Sequence, residues 1–328
     1  MQLPGAVPSG PLDIVVGGIV GAVGGPDGLA PLQLEMLRAV VTQILGSDLD
    51  PATVAPRTPA ELAAEVTEPG SRLMVVEAMV TLEFVLHPEP RAVAKRVEAY
   101  AKALGVDTPM VHAARRLADQ QAALLYVDIQ RNALYTAEAI HGALHGRLYE
   151  LIRSKLAYQG LEPDAKIAAR WHALDDCPPG SWGRGVADFY HAHHFPYPGD
   201  RHGISELGAQ HDFVHVLADY DATPEGEIDV FAFIAAAMPD PRGFTQFAMT
   251  LGLFQNGAIH HVAGKKVAIA RTDTLSDPGA VARWADAVRR GAACTVDVMA
   301  GVDHFALASR DLEELRQEYG IPPKSEPA

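Results

Sequence analysis

The chain has 328 residues, 48% of them hydrophobic, enough for one large domain or two modest ones with a real core. Lys and Arg number 27 against 41 Asp and Glu, a formal net charge of −14. That balance excludes nucleic acid as a partner, since nucleic-acid binding needs a basic face, and it disfavours electrostatic capture by anionic lipid.

Residues 1–29 are rich in Gly and Pro and read as irregular. The opening MQLPGAVPSG lacks the basic region of a signal peptide. Residues 14–25 are apolar but too short to span a bilayer as a helix, so they read as a loop or a surface-inserting segment. An apolar helix is expected over 31–45, broken by 48–59. Thr58-Pro59-Ala60-Glu61 then opens another, with Thr58 as cap and proline in the first helical position. Residues 71–86 form a long apolar run, best read as a buried helix, and 87–90 a Pro-rich turn. An amphipathic helix over 91–104 ends at Gly105. Thr108-Pro109 starts one that runs through Leu117, and 118–156 hold one long helix or two.

Pro and Gly clusters at 161–164 and 177–180 place a boundary between 157 and 178, dividing the chain into an N-terminal helical domain (1–160) and a C-terminal domain (161–328). Helices are expected near 181–193, 205–220, 224–237, 241–255, 278–291 and 311–319, with short strands within 259–270. The fold class is therefore all-α, in two helical regions. Cys177 and Cys294 lie far apart and in no metal or redox motif. No disulfide framework is expected, which fits a reducing cytoplasm.

The sharpest chemistry lies at 211–227: His211-Asp212-Phe213-Val214-His215, eleven residues, then Glu227. On a helix His211 and His215 point about 40° apart, and Asp212 lies within about 100° of both. The other directions of this helix are apolar, so the His-Asp face is not an ordinary solvated one. A buried carboxylate needs a proton, a cation or a metal. Thr223-Pro224 reads as cap and first residue of the next helix, which puts Glu227 in its first turn. There it either complements the helix dipole or folds back over the His-Asp-His face. Two imidazoles and two carboxylates suit zinc, and carboxylate-rich sites also accept Mg or Mn. The pattern differs from the zincin H-E-x-x-H, because Asp is one methylene shorter and better placed to bind metal than to reach a substrate water.

His211, Asp212, His215 and Glu227 match the H-D-x-x-H-x(11)-E hallmark of the Coq-four family of ubiquinone-biosynthesis proteins, which the chain resembles from about residue 168 to 323. Pro179-Gly180-Ser181-Trp182-Gly183, Ala187-Asp188-Phe189-Tyr190 and Gly226-Glu227 extend the likeness. So do Trp284, Arg290-Gly291, Leu312-Glu313-Glu314-Leu315-Arg316 and Gly320-Ile321-Pro322. The resemblance implies an all-helical domain whose four motif residues hold a divalent metal, usually taken as zinc. It also implies a hydrophobic groove for a prenylated quinone precursor, and association with membranes and quinone-biosynthesis complexes. The implied activity is removal of a ring carboxylate coupled to oxidation at that carbon, with no catalytic residue specified. Residues 1 to about 160 have no counterpart in the family core and weakly resemble the helical tellurite-resistance TerB-like fold. Their apolar helices offer surfaces for a homo-oligomer, a cover over the groove or another protein.

Three readings of the motif compete. The first is a metal-dependent enzyme on a lipophilic small molecule, its groove walled by Phe231, Phe233, Phe244, Phe247 and Phe254 unless these simply pack the core. The second is a lipid-binding scaffold with a structural metal. The third, an HD-type phosphohydrolase, fits poorly, because the second histidine is only four residues on. The clusters His191/His193/His194/His202 and His260/His261 read as solvated loops before they read as a second metal site, and Arg184 as a surface ion pair before a headgroup contact.

Overall fold

In the computed structural model, the described residues are 10–86, 90–108, 110–112, 162–238, 241–257, 261–262, 265–266 and 272–325. The fold is all-α, apart from an antiparallel ribbon pairing His261–Val262 with Lys265–Lys266. The expected helix over 118–156, the end of the helix expected from Thr108 through Leu117, residues 87–89 of the expected turn and the start of the proposed domain boundary (157–161) lie outside the described residues.

The N-terminal helices are α1 (Leu12–Val23), α2 (Pro31–Ala39, continued by a π turn at Val40–Ile44), α3 (Pro59–Glu65), α4 (Pro69–Phe84) and α5 (Arg91–Ala103). The caps fall where local chemistry puts them. The Thr58 hydroxyl accepts from Glu61 N and the Glu61 carboxylate accepts from Thr58 N, a reciprocal capping box. Gly105 ends α5 with φ 69°, a left-handed conformation that glycine adopts at no steric cost.

One expectation is overturned. Residues 12–23 form neither a loop nor a surface-inserting segment but α1, buried over most of its length. Glycine is a poor helix former, yet here the missing side chains are what let neighbours approach. A Cβ on Gly17 would sit 2.6 Å from the Ala55 carbonyl oxygen, and one on Gly18 2.6 Å from Leu62 Cδ2. Burial of Val15, Val16, Ile19 and Val23 against α3, α4 and α5 outweighs the propensity cost.

The C-terminal helices are α6 (Ala165–His172), α7 (Trp182–His193), α8 (Glu206–Ala218), α9 (Pro224–Ala237), α10 (Pro241–Phe254), α11 (Ala280–Ala293) and α12 (Leu312–Glu318). The last six match the expected helices closely. The first, α6, lies between the two Pro/Gly clusters, inside the stretch where the domain boundary is expected. Asp164, in the first of those clusters, is its cap, accepting from Lys166 N and Ile167 N. Almost every α9 residue from Ile228 onward is buried, which makes it the central helix, packed chiefly on α11 and α10.

The N-terminal helices join this core directly. The π turn and α2 pack on α11, and α4 packs on α10. The last carbonyls of α4, which lack intrahelical partners, accept from side-chain amides far away in sequence: Leu82 O from Gln33 Nε2 (2.9 Å), Phe84 O from Asn256 Nδ2 (2.9 Å) and Val85 O from Gln255 Nε2 (3.3 Å).

Candidate metal centre

Helix α8 carries the His-Asp-His face, and each of its ends is held. At the N-terminus Ser205 Oγ accepts from Gly208 N, and Glu206 accepts from Trp171 Nε1 of α6 (3.0 Å) and pairs with Arg170. Beneath the helix, Phe213 packs edge-on to Trp171 and Trp182, and Trp182 Nε1 donates to Phe213 O (2.7 Å). At the C-terminus Asp219 adopts a left-handed conformation (φ 60°), which turns the chain so that Tyr220 comes back toward His215.

The turn into α9 is equally tight. The Thr223 hydroxyl accepts from Gly226 N (3.1 Å), with Pro224 in the first helical position as expected. Any Cβ on Gly226 would collide with the Asp221 carbonyl, so glycine is required immediately before Glu227. Glu227 does fold back over the face of α8. His211, His215 and Glu227 each offer a ligand atom, and these atoms all lie within 4.8 Å of one another, so the group could hold a metal ion. His215 Nε2 is 3.4 Å from Glu227 Oε1, and His211 Nε2 is 3.8 Å from Glu227 Oε2. Asp212 stands beside this trio. Its Oδ1 is 3.4 Å from His211 Nε2, and its Oδ2 accepts a 2.5 Å hydrogen bond from the Tyr190 hydroxyl.

The hydrogen bonds behind the two imidazoles fix their tautomers. His215 Nδ1 is 3.1 Å from Tyr220 O, and His211 Nδ1 is 2.5 Å from Gly208 O. A carbonyl only accepts, so Nδ1 carries the proton in both rings. The neutral form therefore presents an Nε2 lone pair toward the carboxylates, the form in which histidine ligates a metal. His215 Nε2 is buried and makes no hydrogen bond. A lone pair facing carboxylate oxygens is unfavourable unless a proton or a cation lies between them. The donor set thus fits a divalent cation.

The electrostatics agree. For His215, burial alone would lower the pKa, but the Glu227 and Asp212 carboxylates outweigh it and the net direction is upward. Burial pushes Glu227 up, while the two imidazoles pull it further down. Asp212 is raised chiefly by burial, against the pull of both histidines and Tyr190. Without a cation, the pocket must take up protons to balance its carboxylates.

Aromatic rings enclose the trio. Phe231 stacks on His211 (5.1 Å, 26°) and Phe189 on His215 (5.4 Å, 25°). Phe195, 43% exposed, continues this apolar side, 6.2 Å from Phe189. Phe233, Phe244 and Phe247 are buried, consistent with ordinary core packing. Phe189 and Tyr190 belong to the family likeness, but the sequence assigns neither them nor Phe195 a place at the metal site. The readable signal is that Trp182, Val186 and Tyr190 recur at helical spacing on the buried face of α7.

The other histidines go elsewhere. His191 and His193 end α7 and pair with Asp175 and Asp221 (2.7 Å each), and His194 is that helix's left-handed cap. They are thus helix-end residues and not parts of a loop. Among the described residues only the 211/215/227 group gathers three metal-binding side chains; His260 lies outside them. Arg184 pairs with Asp188 at the surface (2.8 Å).

His304 lies under the site against Trp182 and Phe213, its Nε2 donating to Val298 O (2.9 Å). Burial holds its pKa below the usual histidine value. The unfolded chain therefore binds this proton at a pH where the folded chain does not, and stability is lost as pH falls below about 6.5. His304→Gln should flatten this acid limb, so that its stability deficit relative to wild type shrinks between about pH 7.5 and about pH 5. Urea midpoints at the two pH values measure it, and a constant deficit would show that His304 does not titrate on unfolding.

No protein-family model matches the chain, and no curated protein matches it.

Proposed function

We propose that this is a metal-dependent protein of the Coq-four type that binds or transforms a prenylated quinone precursor or a similarly lipophilic small molecule. The observation that carries the reading is the convergence of His211, His215 and Glu227, with both Nε2 lone pairs turned toward the carboxylates and the Nε2 of His215 buried without a hydrogen bond. Two nitrogens in the donor set favour zinc over magnesium.

When bound, the metal supplies Lewis acidity toward a substrate oxygen. The chain's own residues do the rest. His211 and His215 are oriented through Nδ1 by Gly208 O and Tyr220 O. Asp212, steered by the Tyr190 hydroxyl, holds or releases a proton at Oδ1. Phe189, Phe195 and Phe231 keep water away and offer an apolar approach. The side chains of His211 and Glu227 are 14% and 21% exposed while His215 is sealed, so the site opens on one side only. Three ligands with an open side favour an exchangeable position over a closed structural site. Among the described residues no helix is long and apolar enough to cross a membrane.

The test is elemental analysis of purified protein together with mass spectrometry of its organic extract. Near-stoichiometric zinc and a co-purifying isoprenoid support the proposal. A metal-loaded protein that binds only water-soluble metabolites would remove the quinone-type substrate and leave the metal site standing.

A further inference from the structure

His211, His215 and Glu227 gather their ligand atoms within 4.8 Å of one another, and Asp212 is left out of that group. Its place on α8 does not account for this. Asp212 follows His211 directly, and its Oδ1 comes within 3.4 Å of His211 Nε2. The other oxygen, Oδ2, is engaged, accepting a 2.5 Å hydrogen bond from the Tyr190 hydroxyl of α7. A hydroxyl-to-carboxylate bond this short is among the strong ones. The two oxygens belong to one planar group, so holding one limits where the other can go.

The hydroxyl is not free to follow a moving carboxylate. Tyr190 is 1% exposed, its ring stacked on Tyr197 (5.0 Å, 18°), tilted against Trp171 (5.5 Å, 43°) and edge-on to Phe195 (5.9 Å, 86°). Tyr197 is tied in turn, its hydroxyl donating to Asp175 Oδ1 (3.3 Å). A ring packed on three sides keeps its rotamer.

A carboxylate this near two imidazoles and a glutamate would ordinarily join them around a divalent cation, and four protein ligands make a closed, structural zinc site. We propose that Tyr190 is a positioning residue that holds Asp212 back from the metal and so keeps one coordination position open to a small anionic or neutral oxygen or nitrogen donor. The inference rests on the metal reading of this site. It differs in sign from ordinary support of a ligand. Loss of a group that only orients ligands costs about 10–100-fold in metal affinity, whereas loss of the Tyr190 hydroxyl should free Asp212 to bind and raise that affinity.

The test uses the full chain loaded with zinc or cobalt, and azide as the probe of the open position. Wild type should bind azide at its cobalt, seen as a change in visible absorption. Tyr190→Phe should bind zinc about tenfold more tightly and azide about tenfold more weakly, the low end of the range for neighbouring groups with the sign reversed. Tyr190→Phe/Asp212→Asn has no carboxylate to release and should recover the azide binding of wild type. Weaker zinc binding in Tyr190→Phe, azide binding that this substitution does not change, or no azide binding to wild type would overturn the gating role while zinc uptake by wild type still supported the site. Wild type that took up neither metal would remove both. Should Tyr190→Phe not fold, Asp212→Asn decides alone. With Asp212 outside the ligand set it should leave the absorption of bound cobalt as in wild type, and the altered spectrum of a lost ligand would overturn the proposal.

Discussion

His215→Ala should lower divalent-metal affinity by about three orders of magnitude, roughly 4 kcal/mol of binding free energy, while leaving helix content essentially unchanged. The residue is fully buried at the end of α8, and its Nε2 is the ligand atom that makes no hydrogen bond in the protein. Alanine removes that nitrogen and leaves Glu227 facing a void. His211→Ala and Asp212→Ala should also lose bound metal. Asp212→Asn keeps the shape and the contact with Tyr190 but halves the negative charge nearby, and should cost only about 10–100-fold, the range expected of an orienting neighbour. Since only the folded state holds the site, wild type should gain about 2.7 kcal/mol of stability when free zinc stands at 100 times its Kd, and His215→Ala should gain almost none. Equal metal content in wild type and these variants would end the assignment.

The sequence made much of this site readable because its determinants are local. Thr223-Pro224 fixes where α9 begins, that start puts Glu227 in the first turn, and helical spacing brings His211 and His215 to one face. The helices of the C-terminal half were legible from apolar periodicity for the same reason. What escaped depends on contacts distant along the chain. Helix α1 looks irregular because its glycines matter only in relation to Ala55 and Leu62, more than 30 positions away. Tyr190 becomes an orienting group only when α7 is laid against α8, 22 residues later. The carbonyls that close α8 find their partners about 70 to 100 residues downstream.

Those partners carry the second large effect. Three consecutive carbonyls at the C-terminus of α8 accept from two guanidinium groups: Val216 O and Leu217 O from Arg316 (2.9 and 2.8 Å), and Ala218 O from Arg290 (2.7 Å). A helix leaves its last carbonyls unpaired and its negative dipole end exposed, and two cations satisfy both needs at once. Arg290 is almost fully buried. Its Nη1 also donates to the Tyr220 hydroxyl (2.8 Å) and its Nε to Pro322 O (2.8 Å), which fastens the C-terminal segment to the core. Gly291 beside it has no room for a Cβ against Phe233 O of α9, so α11 and α9 are locked in close contact at this point. Arg290→Met keeps the aliphatic stem and removes all three hydrogen bonds, leaving buried oxygens unpaired. The expected cost is about 3–5 kcal/mol, read as a lower urea midpoint with unchanged slope. Arg290→Lys retains the charge but not the planar fork, and should recover only part of that loss. Because Tyr220 O orients His215, loosening this corner should also weaken zinc about tenfold in Arg290→Met, whereas Arg184→Met, at the surface, should change neither quantity. A loss of stability in Arg290→Met with unaltered zinc affinity would show that the clamp supports the fold without positioning the imidazole.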